Sequence, residues 1–306
     1  MKLIVAISGG QDSIYLMKLV EQLRTTYKGL NKDNFDISYI YIDHQWRLDC
    51  SQHVKHIINF AKSIGRKIYV YQMNKIINSE KICRINRYHI LYQHAIRYGS
   101  TIIITGHNQT DKLETFLHNF FRGQGIEGLT SLVGTTRVHN NIYLLRPLLE
   151  YKRETVYWAC KRYCLPVWSD TTNYIYYLYR NRTRHELVPY LKKYFHLNIE
   201  SNIINALQNY YNHSEYIKQN TIKLYLSNRH EKYMAIDYIK LQKQNFILQF
   251  KTLQLFCIHS TNINPDHEKI VKLLININQK VNYSYLKSQF KHLLLAINKR
   301  WIYIKF

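Results

Sequence analysis

Residues Leu3-Ile-Val-Ala-Ile-Ser8-Gly9-Gly10-Gln11-Asp12-Ser13-Ile-Tyr-Leu-Met-Lys-Leu-Val-Glu-Gln-Leu23 join an apolar strand, a short Gly-Ser turn and a helix-like segment. In that order the free N–H groups and the positive end of the helix dipole face whatever lies in front of the turn. The natural guest is an anion such as a phosphate. Gly9 and Gly10 let the backbone approach that anion closely, and Ser8 and Ser13 add hydroxyl donors. Asp12 is open to two readings: a cap of the helix, or, beside a triphosphate, a ligand of Mg2+. The stretch has neither the Walker-loop lysine nor the GxGxxG spacing of the dinucleotide fold.

Outward from this turn, apolar runs at 3–7, 37–42, 67–71 and 101–105 alternate with helical patterns near 14–24, 51–64, 80–98 and 110–121. Strands separated by helices predict an α/β fold, a doubly wound parallel sheet that binds ligands at the C-terminal ends of its strands. The Gly-Ser turn, Asp43-His44 and the stretch around His107 all fall at such ends. A polar helical segment from Asn198 to about Leu226 predicts a link into a second domain. Beyond it come helical patterns near 241–258 and 265–276, then a hairpin of 293–297 with 301–304 that turns at Asn298-Lys-Arg.

The chain has 306 residues, enough for two cores. Lys and Arg number 43 against 20 Asp and Glu, a net charge of +23 that suits a polyanion such as nucleic acid. Ile, Asn, Lys and Tyr, all with A/T-rich codons, are abundant, so coding bias is a second source of the basicity. Five cysteines at irregular spacing make no disulfide framework and point to a reducing compartment. Cys160 and Cys164, four apart on an expected helix from Lys152 to Cys164, read as structural cysteines, since no second pair completes a zinc site. No apolar run reaches the length of about eighteen residues that a membrane span needs. The loop begins at residue 8, which leaves no room for a leader, so the chain is expected to work where it is made.

Several side chains carry two readings each. His107, Asp111, Glu114 and His118 share one face if they are helical. That face is a solvated surface, a metal site, or a set of acids for a cation. Asp43 and His44, at a strand end, reach a nucleotide or cap the next helix. Arg87, one turn after Arg84, pairs with an anion or with a surface acid. Arg180, Arg182 and Arg184 with Lys192 and Lys193 form the densest basic patch, relieved by Glu186. Tyr174, Tyr176, Tyr177 and Tyr179 lie beside it, as phosphate contacts with base stacking would require.

The turn SGGxDS after a first strand resembles the PP-loop ATP pyrophosphatases. The ordered set that follows is Tyr41-Ile-Asp43-His44, Cys83-Arg84-Ile-Asn-Arg87-Tyr88, Thr105-Gly-His107 to Thr115, and Arg122-Gly123-Gln-Gly125. Leu145-Arg146-Pro147, Trp168-Ser-Asp170-Thr-Thr-Asn173 and Arg180-Asn181-Arg182-Thr-Arg184-His185 complete it. In that order the motifs are similar to those of the tRNA(Ile)-lysidine synthases, densely over residues 3 to 191 and more weakly in the tail. The resemblance implies an adenine-nucleotide α-hydrolase-like catalytic domain over 1–195 and a smaller C-terminal α+β domain over 196–306 that serves tRNA binding or an accessory role.

It further implies ATP on Ser8, Gly9, Gly10, Gln11, Asp12 and Ser13 with Asp43 and His44, and Mg2+ held partly by Asp12. Free L-lysine would lie against Arg87, Asp111 and Glu114, with His107 as the base. tRNA(Ile) with a CAU anticodon would lie along Arg180, Arg182, Arg184, Lys192 and Lys193. The implied activity adenylates the wobble cytidine and then joins lysine to its C2, in a plastid stroma or else a bacterial cytoplasm. A homodimer is left open and no membrane is involved. One position departs from the family pattern: Thr110 stands where a second acid usually precedes Asp111. The alternatives are a PP-loop tRNA thiolase, against which the lack of any CxxC speaks, and a non-catalytic tRNA-binding relative.

Overall fold

Apolar runs buried on both faces place the first half of the chain in a parallel sheet. A computed structural model describes residues 2–29, 36–45, 50–73, 79–138, 141–168, 179–279, 287–290, 293–298 and 300–305. The chain divides into two compact units, Met1–Gln208 and Asn209–Phe306.

In the first unit the order is β1 (Lys2–Ile7), α1 (Gln11–Gly29), β2 (Asp36–Asp43), α2 (Cys50–Ser63), β3 (Ile68–Gln72), α3 (Glu80–Tyr98), β4 (Ile102–Ile104) and α4 (Gln109–Phe121). A short α5 (Ile126–Leu129), the strands β5 (Thr135–Arg137) and β6 (Tyr143–Leu145), a 3-10 turn (Pro147–Glu150) and α6 (Arg153–Arg162) follow. After residues 169–178, which lie outside the described residues, come α7 (Tyr179–Arg182), a π-helical turn (Thr183–Leu187), α8 (Val188–Tyr194) and α9 (Ile199–Asn228), which begins in the first unit and continues into the second.

The sheet order is β3-β2-β1-β4-β6-β5. All neighbours are parallel except the β5–β6 pair. Chain direction across the sheet reverses between β1 and β4, so the crevice at their C-terminal ends is the place for a ligand. Successive residues of β1 feed opposite cores. Val5 and Ile7 pack with Ile14, Met17, Ile57 and Val156, which come from α1, α2 and α6. Ile4 packs with Leu91 and Ala95 of α3. A third cluster, Leu113 and Leu117 of α4 with Val188 of α8, fixes α4 against the basic segment.

The expected strands and helices of this half all form. No sequence pattern marks the β5–β6 hairpin, because two three-residue strands are too short to show a period. The Cys160 helix ends at Arg162; Cys164 lies beyond it with φ 47, so the two cysteines do not share a helix.

The second unit has a four-stranded sheet ordered β7 (Ala235–Asp237), β10 (Trp301–Lys305), β9 (Leu293–Asn298), β8 (Lys287–Phe290), antiparallel throughout. Helices α10 (Tyr238–Gln242), α11 (Phe246–Thr261) and α12 (His267–Asn278) accompany it. Leu253, Phe256, Ile270 and Leu274 join Ile297 and Ile302 in one core. The predicted hairpin is β9–β10. Asp237 is almost fully buried and pairs with Arg300, 2.6 Å away. Among the described residues no helix is long and apolar enough to cross a membrane.

Candidate active site

The loop after β1 and the loop after β4 meet at the predicted crevice. Helix α1 makes its first bond from the Ile14 N–H to the Gly10 carbonyl, 3.1 Å. The amides of Gln11, Asp12 and Ser13 therefore precede the helical ladder and point out of its end. Gly9 has φ 78, and a Cβ there would run into the His53 ring. The His53 ring is stacked on Trp168 at 5.4 Å, and the Trp168 N–H donates to the Gly9 carbonyl at 3.0 Å. Inside the loop the Ser13 hydroxyl donates to the Gly10 carbonyl at 2.9 Å, and Ser8 Oγ lies 3.2 Å from Ser13 Oγ. On the other side, a Cβ on Gly106 would sit 3.2 Å from the Asp12 carbonyl, so only glycine lets the β4 loop approach this closely.

Asn108 ties the two loops together. Its side chain is fully buried; Nδ2 donates to Asp12 Oδ1 at 2.9 Å, and Oδ1 accepts the Asp111 N–H at 3.0 Å. Asp111 returns the contact by accepting the Asn108 N–H at 2.9 Å, so α4 opens with a reciprocal capping box. The helix begins at Gln109, which leaves His107 ahead of it rather than on the face shared by Asp111 and Glu114. His107 Nδ1 instead meets the Thr105 hydroxyl at 3.0 Å. Burial, with the charges of Arg146, Arg84 and Arg87, brings its pKa down to about 4 against the pull of Asp111. The imidazole is therefore neutral at pH 7 and a weak base.

The paired acids already hold a cation. Arg184 Nε donates to Glu114 Oε1 at 2.6 Å, and its Nη2 reaches Glu114 Oε2 at 3.0 Å and Asp111 Oδ1 at 3.2 Å. Burial pushes the Glu114 carboxyl above its ordinary range, and Arg184 works against that shift. Asp12 is likewise raised, first by burial and then by the negative charge of Asp111, while Asn108, Arg153 and Arg184 oppose the rise. The guanidinium expected in the RNA-facing patch thus sits inside the acidic cluster, because two desolvated carboxylates need a cation in reach.

Two cavities flank the loop. One, of about 160 Å³, is lined by Ser8, Gly10, Asp12 and Ser13 with Arg87, Tyr88 and His107. The other, of about 600 Å³, joins Ser8, Gly10, Gln11 and Asp12 to Arg153, Lys161, Trp168 and Arg184. Among the described residues, the Tyr88 hydroxyl in the first and the Gln11 amide nitrogen in the second are buried with no hydrogen-bond partner within the chain.

Asp43 and His44 line neither cavity. Asp43 Oδ1 accepts the Gln45 N–H at 2.9 Å in a local turn, and His44 Nδ1 lies 2.9 Å from Met73 Sδ. Of the basic patch, Arg182 and Lys193 are exposed. Lys192 is paired with Glu200 at 2.9 Å and with Glu154 at 3.4 Å. Asp170, Thr171, Thr172, Asn173, Tyr174, Tyr176 and Tyr177 lie outside the described residues. Glu200 also stands 3.5 Å from the Thr110 hydroxyl, so a carboxylate from α9 adjoins the position that lacks one.

A PP-loop domain model matches residues 1–191. The chloroplastic tRNA(Ile)-lysidine synthase of Gracilaria tenuistipitata var. liui is 44% identical over 308 residues, covering 100% of this chain and 93% of that protein. The chain belongs to the tRNA(Ile)-lysidine synthase family. The chloroplastic member from Pyropia yezoensis is 33% identical over 99% of this chain and 89% of its own length. Among solved structures, a U34-tRNA thiolase of Methanococcus maripaludis with its 4Fe-4S cluster superposes with a TM-score of 0.55 at 17% identity. It covers 68% of this chain and 71% of its own, a likeness of fold alone. Membership of the PP-loop family carries ATP use with it.

The residues missed in the sequence are Asn108, Gly106, Arg153, Lys161, Tyr88 and the Gly9–His53–Trp168 packing. Asn108 and Gly106 stand inside the quoted family motif, where Asn before an acid-bearing helix is a readable N-cap signal. Arg153 and Lys161 reach the loop only through the packing of α6 on α1, which no local pattern encodes.

Proposed function

We propose that this chain joins free L-lysine to C2 of the wobble cytidine of tRNA(Ile) bearing a CAU anticodon, consuming ATP to AMP and pyrophosphate. The observation that carries the reading is the chain Asp12–Asn108–Asp111, which links a phosphate-ready helix end to an acid cluster in one crevice, in a chain that matches the synthases end to end. The cytidine C2 oxygen attacks the α-phosphorus, forming an O–P bond as the bond to pyrophosphate breaks. The lysine ε-nitrogen then attacks C2 and AMP leaves with that oxygen.

The amides of Gln11, Asp12 and Ser13, with Arg153 and Lys161 across the larger cavity, face the charge that develops on phosphate. Asp12 would hold a divalent cation: its carboxyl is pushed toward protonation by burial and by Asp111, and a cation would relieve both. Mg2+ bound there would supply charge neutralisation at the phosphates. Tyr88 and Gln11 offer their buried polar atoms to the bound substrates.

The lysine ammonium would join Arg184 on the acids, whose carboxylates keep lone pairs beyond the three bonds to the guanidinium. Asp111, with 23% of its side chain exposed against 2% for Glu114, is the acid an incoming amine reaches first. His107 is placed to accept a proton but is poorly matched in pKa, so proton removal also draws on phosphate or solvent. Burial raises the thiol of Cys83 and takes that of Cys160 up to about 11, which favours lysine transfer over a thiolase's cysteine chemistry.

The chloroplastic names of its relatives support a plastid location for this activity, and the stroma is the compartment this reading assigns. A homodimer is the assembly to be read by sedimentation. The test is incorporation of labelled lysine into CAU transcripts. Replacing the wobble C by U stops incorporation while binding persists, since phosphate contacts position RNA without reading it; equal incorporation into both transcripts contradicts the reading.

A further inference from the structure

We propose that the concavity between the end of α4 and the α7–α8 segment seats one unstacked base of the anticodon loop, next to the cytidine being modified. The inference rests on the proposed function and adds to it a subsite of the RNA. A cavity of about 710 Å³ is walled by Phe121, Tyr179 and Tyr190, with His118, Arg122 and Arg182 around it. The three rings are 66%, 76% and 53% exposed. Leu187, which also lines the hollow, packs against the Leu113–Leu117–Val188 core. Exposed rings gathered around a hollow mark a binding site rather than scattered surface apolarity.

Position selects the occupant. His118 and Phe121 lie on α4 four and seven residues beyond Glu114, about 6 and about 10 Å along the axis at about 1.5 Å per residue. Arg182 lies two residues from Arg184, on the segment that closes the acid cluster. A distance of about 10 Å equals about three stacked nucleotide steps of about 3.4 Å. A cytidine reacting near Asp111 and Glu114 therefore has its loop neighbours within reach of the hollow.

Charge selects it as well. Arg122 and Arg182 are exposed, and Glu186, which binds Arg182 Nε at 3.2 Å, is the acid of the rim. With +23 on the chain, a second copy would bring like charge against this face, whereas RNA brings the opposite sign. Single-stranded loops are read by splaying bases onto aromatic rings beside cations, as these residues permit.

The experiment uses the full chain and tRNA(Ile) transcripts in which each anticodon-loop base other than the wobble cytidine is removed in turn, leaving an abasic site. Dissociation constants are measured for the wild type and for Phe121→Ala/Tyr190→Ala at one salt concentration. The wild type loses about tenfold at one position adjoining the cytidine, the double variant binds intact tRNA about tenfold more weakly, and the variant no longer senses that position. Phe121→Leu/Tyr190→Leu, which keeps apolar volume without a ring to stack on, behaves as the alanine pair does and guards against a folding defect.

Abasic effects that are equal in wild type and variant at every position overturn the inference. So does a variant that keeps full tRNA affinity but dissociates from dimer to monomer, which would assign the face to a second copy. Lysine incorporation by the wild type is scored separately: its failure with the base coupling intact overturns the proposed reaction and leaves the subsite standing.

Discussion

Arg184 and Glu114 form a buried charge pair whose removal from either side predicts a specific pattern of loss. Glu114 exposes 2% of its side chain and Arg184 16%, and the two share bonds of 2.6 and 3.0 Å. Arg184→Met leaves Glu114 desolvated without its cation, and Glu114→Gln leaves the guanidinium with Asp111 alone. Breaking one side of such a pair costs about 3–5 kcal/mol, whereas removing both charges together is often close to neutral. The double variant is therefore expected to be more stable than the sum of the single losses predicts, by about 2 kcal/mol or more. Urea unfolding followed by tryptophan fluorescence, with Trp301 of the second unit replaced by Phe so that the signal comes from the first, gives the four midpoints. Single losses that add to within about 0.5 kcal/mol would refute the pairing.

Three further outcomes follow from the same geometry. Gly106→Ala forces the β4 loop off the Asp12 carbonyl 3.2 Å away, and pyrophosphate release is expected to fall about tenfold or more with little change in melting temperature; an unchanged rate contradicts the close approach. Asp111→Asn is expected to raise the KM for lysine about tenfold through loss of a charge-assisted bond of about 1.5–3 kcal/mol, with the KM for ATP altered much less. His107 is held neutral with a folded pKa of about 4 against an ordinary 6.5, so its contribution to stability is complete above pH 6.5 and is lost as pH falls toward 4. Asp12 and Glu114, whose folded pKa values are raised, shift stability the other way on acidification. Comparison of His107→Gln with wild type isolates the imidazole: the variant's acid limb is flatter, and identical limbs would contradict its buried neutral state.

The strand–turn–helix at Ser8 to Ser13 was legible because its period, its glycines and its polar turn all agree on one local structure. The same holds for the β9–β10 hairpin. The inward turn of Arg184 is not legible in the sequence: a run of arginines reads as a solvated patch, and nothing local reveals that the third reaches two carboxylates some seventy positions earlier. The spacing of His107 from Asp111 and Glu114 is helical and predicts one shared face, yet Asn108 caps the helix one residue after His107 and leaves the imidazole outside that register. Asp43 and His44 stand at a strand end as expected, where Asp43 accepts the Gln45 N–H and His44 lies against Met73.

The central claim is tested most directly by the nucleoside that the enzyme makes. Purified chain, ATP, Mg2+, L-lysine and a CAU tRNA(Ile) transcript are incubated, the RNA is digested, and its nucleosides are resolved by mass. The account predicts a product equal to cytidine plus lysine less one water, formed one for one with AMP and only when ATP and lysine are both present. A wobble nucleoside bearing sulfur, or an unaltered cytidine from a preparation that binds the tRNA, would contradict it.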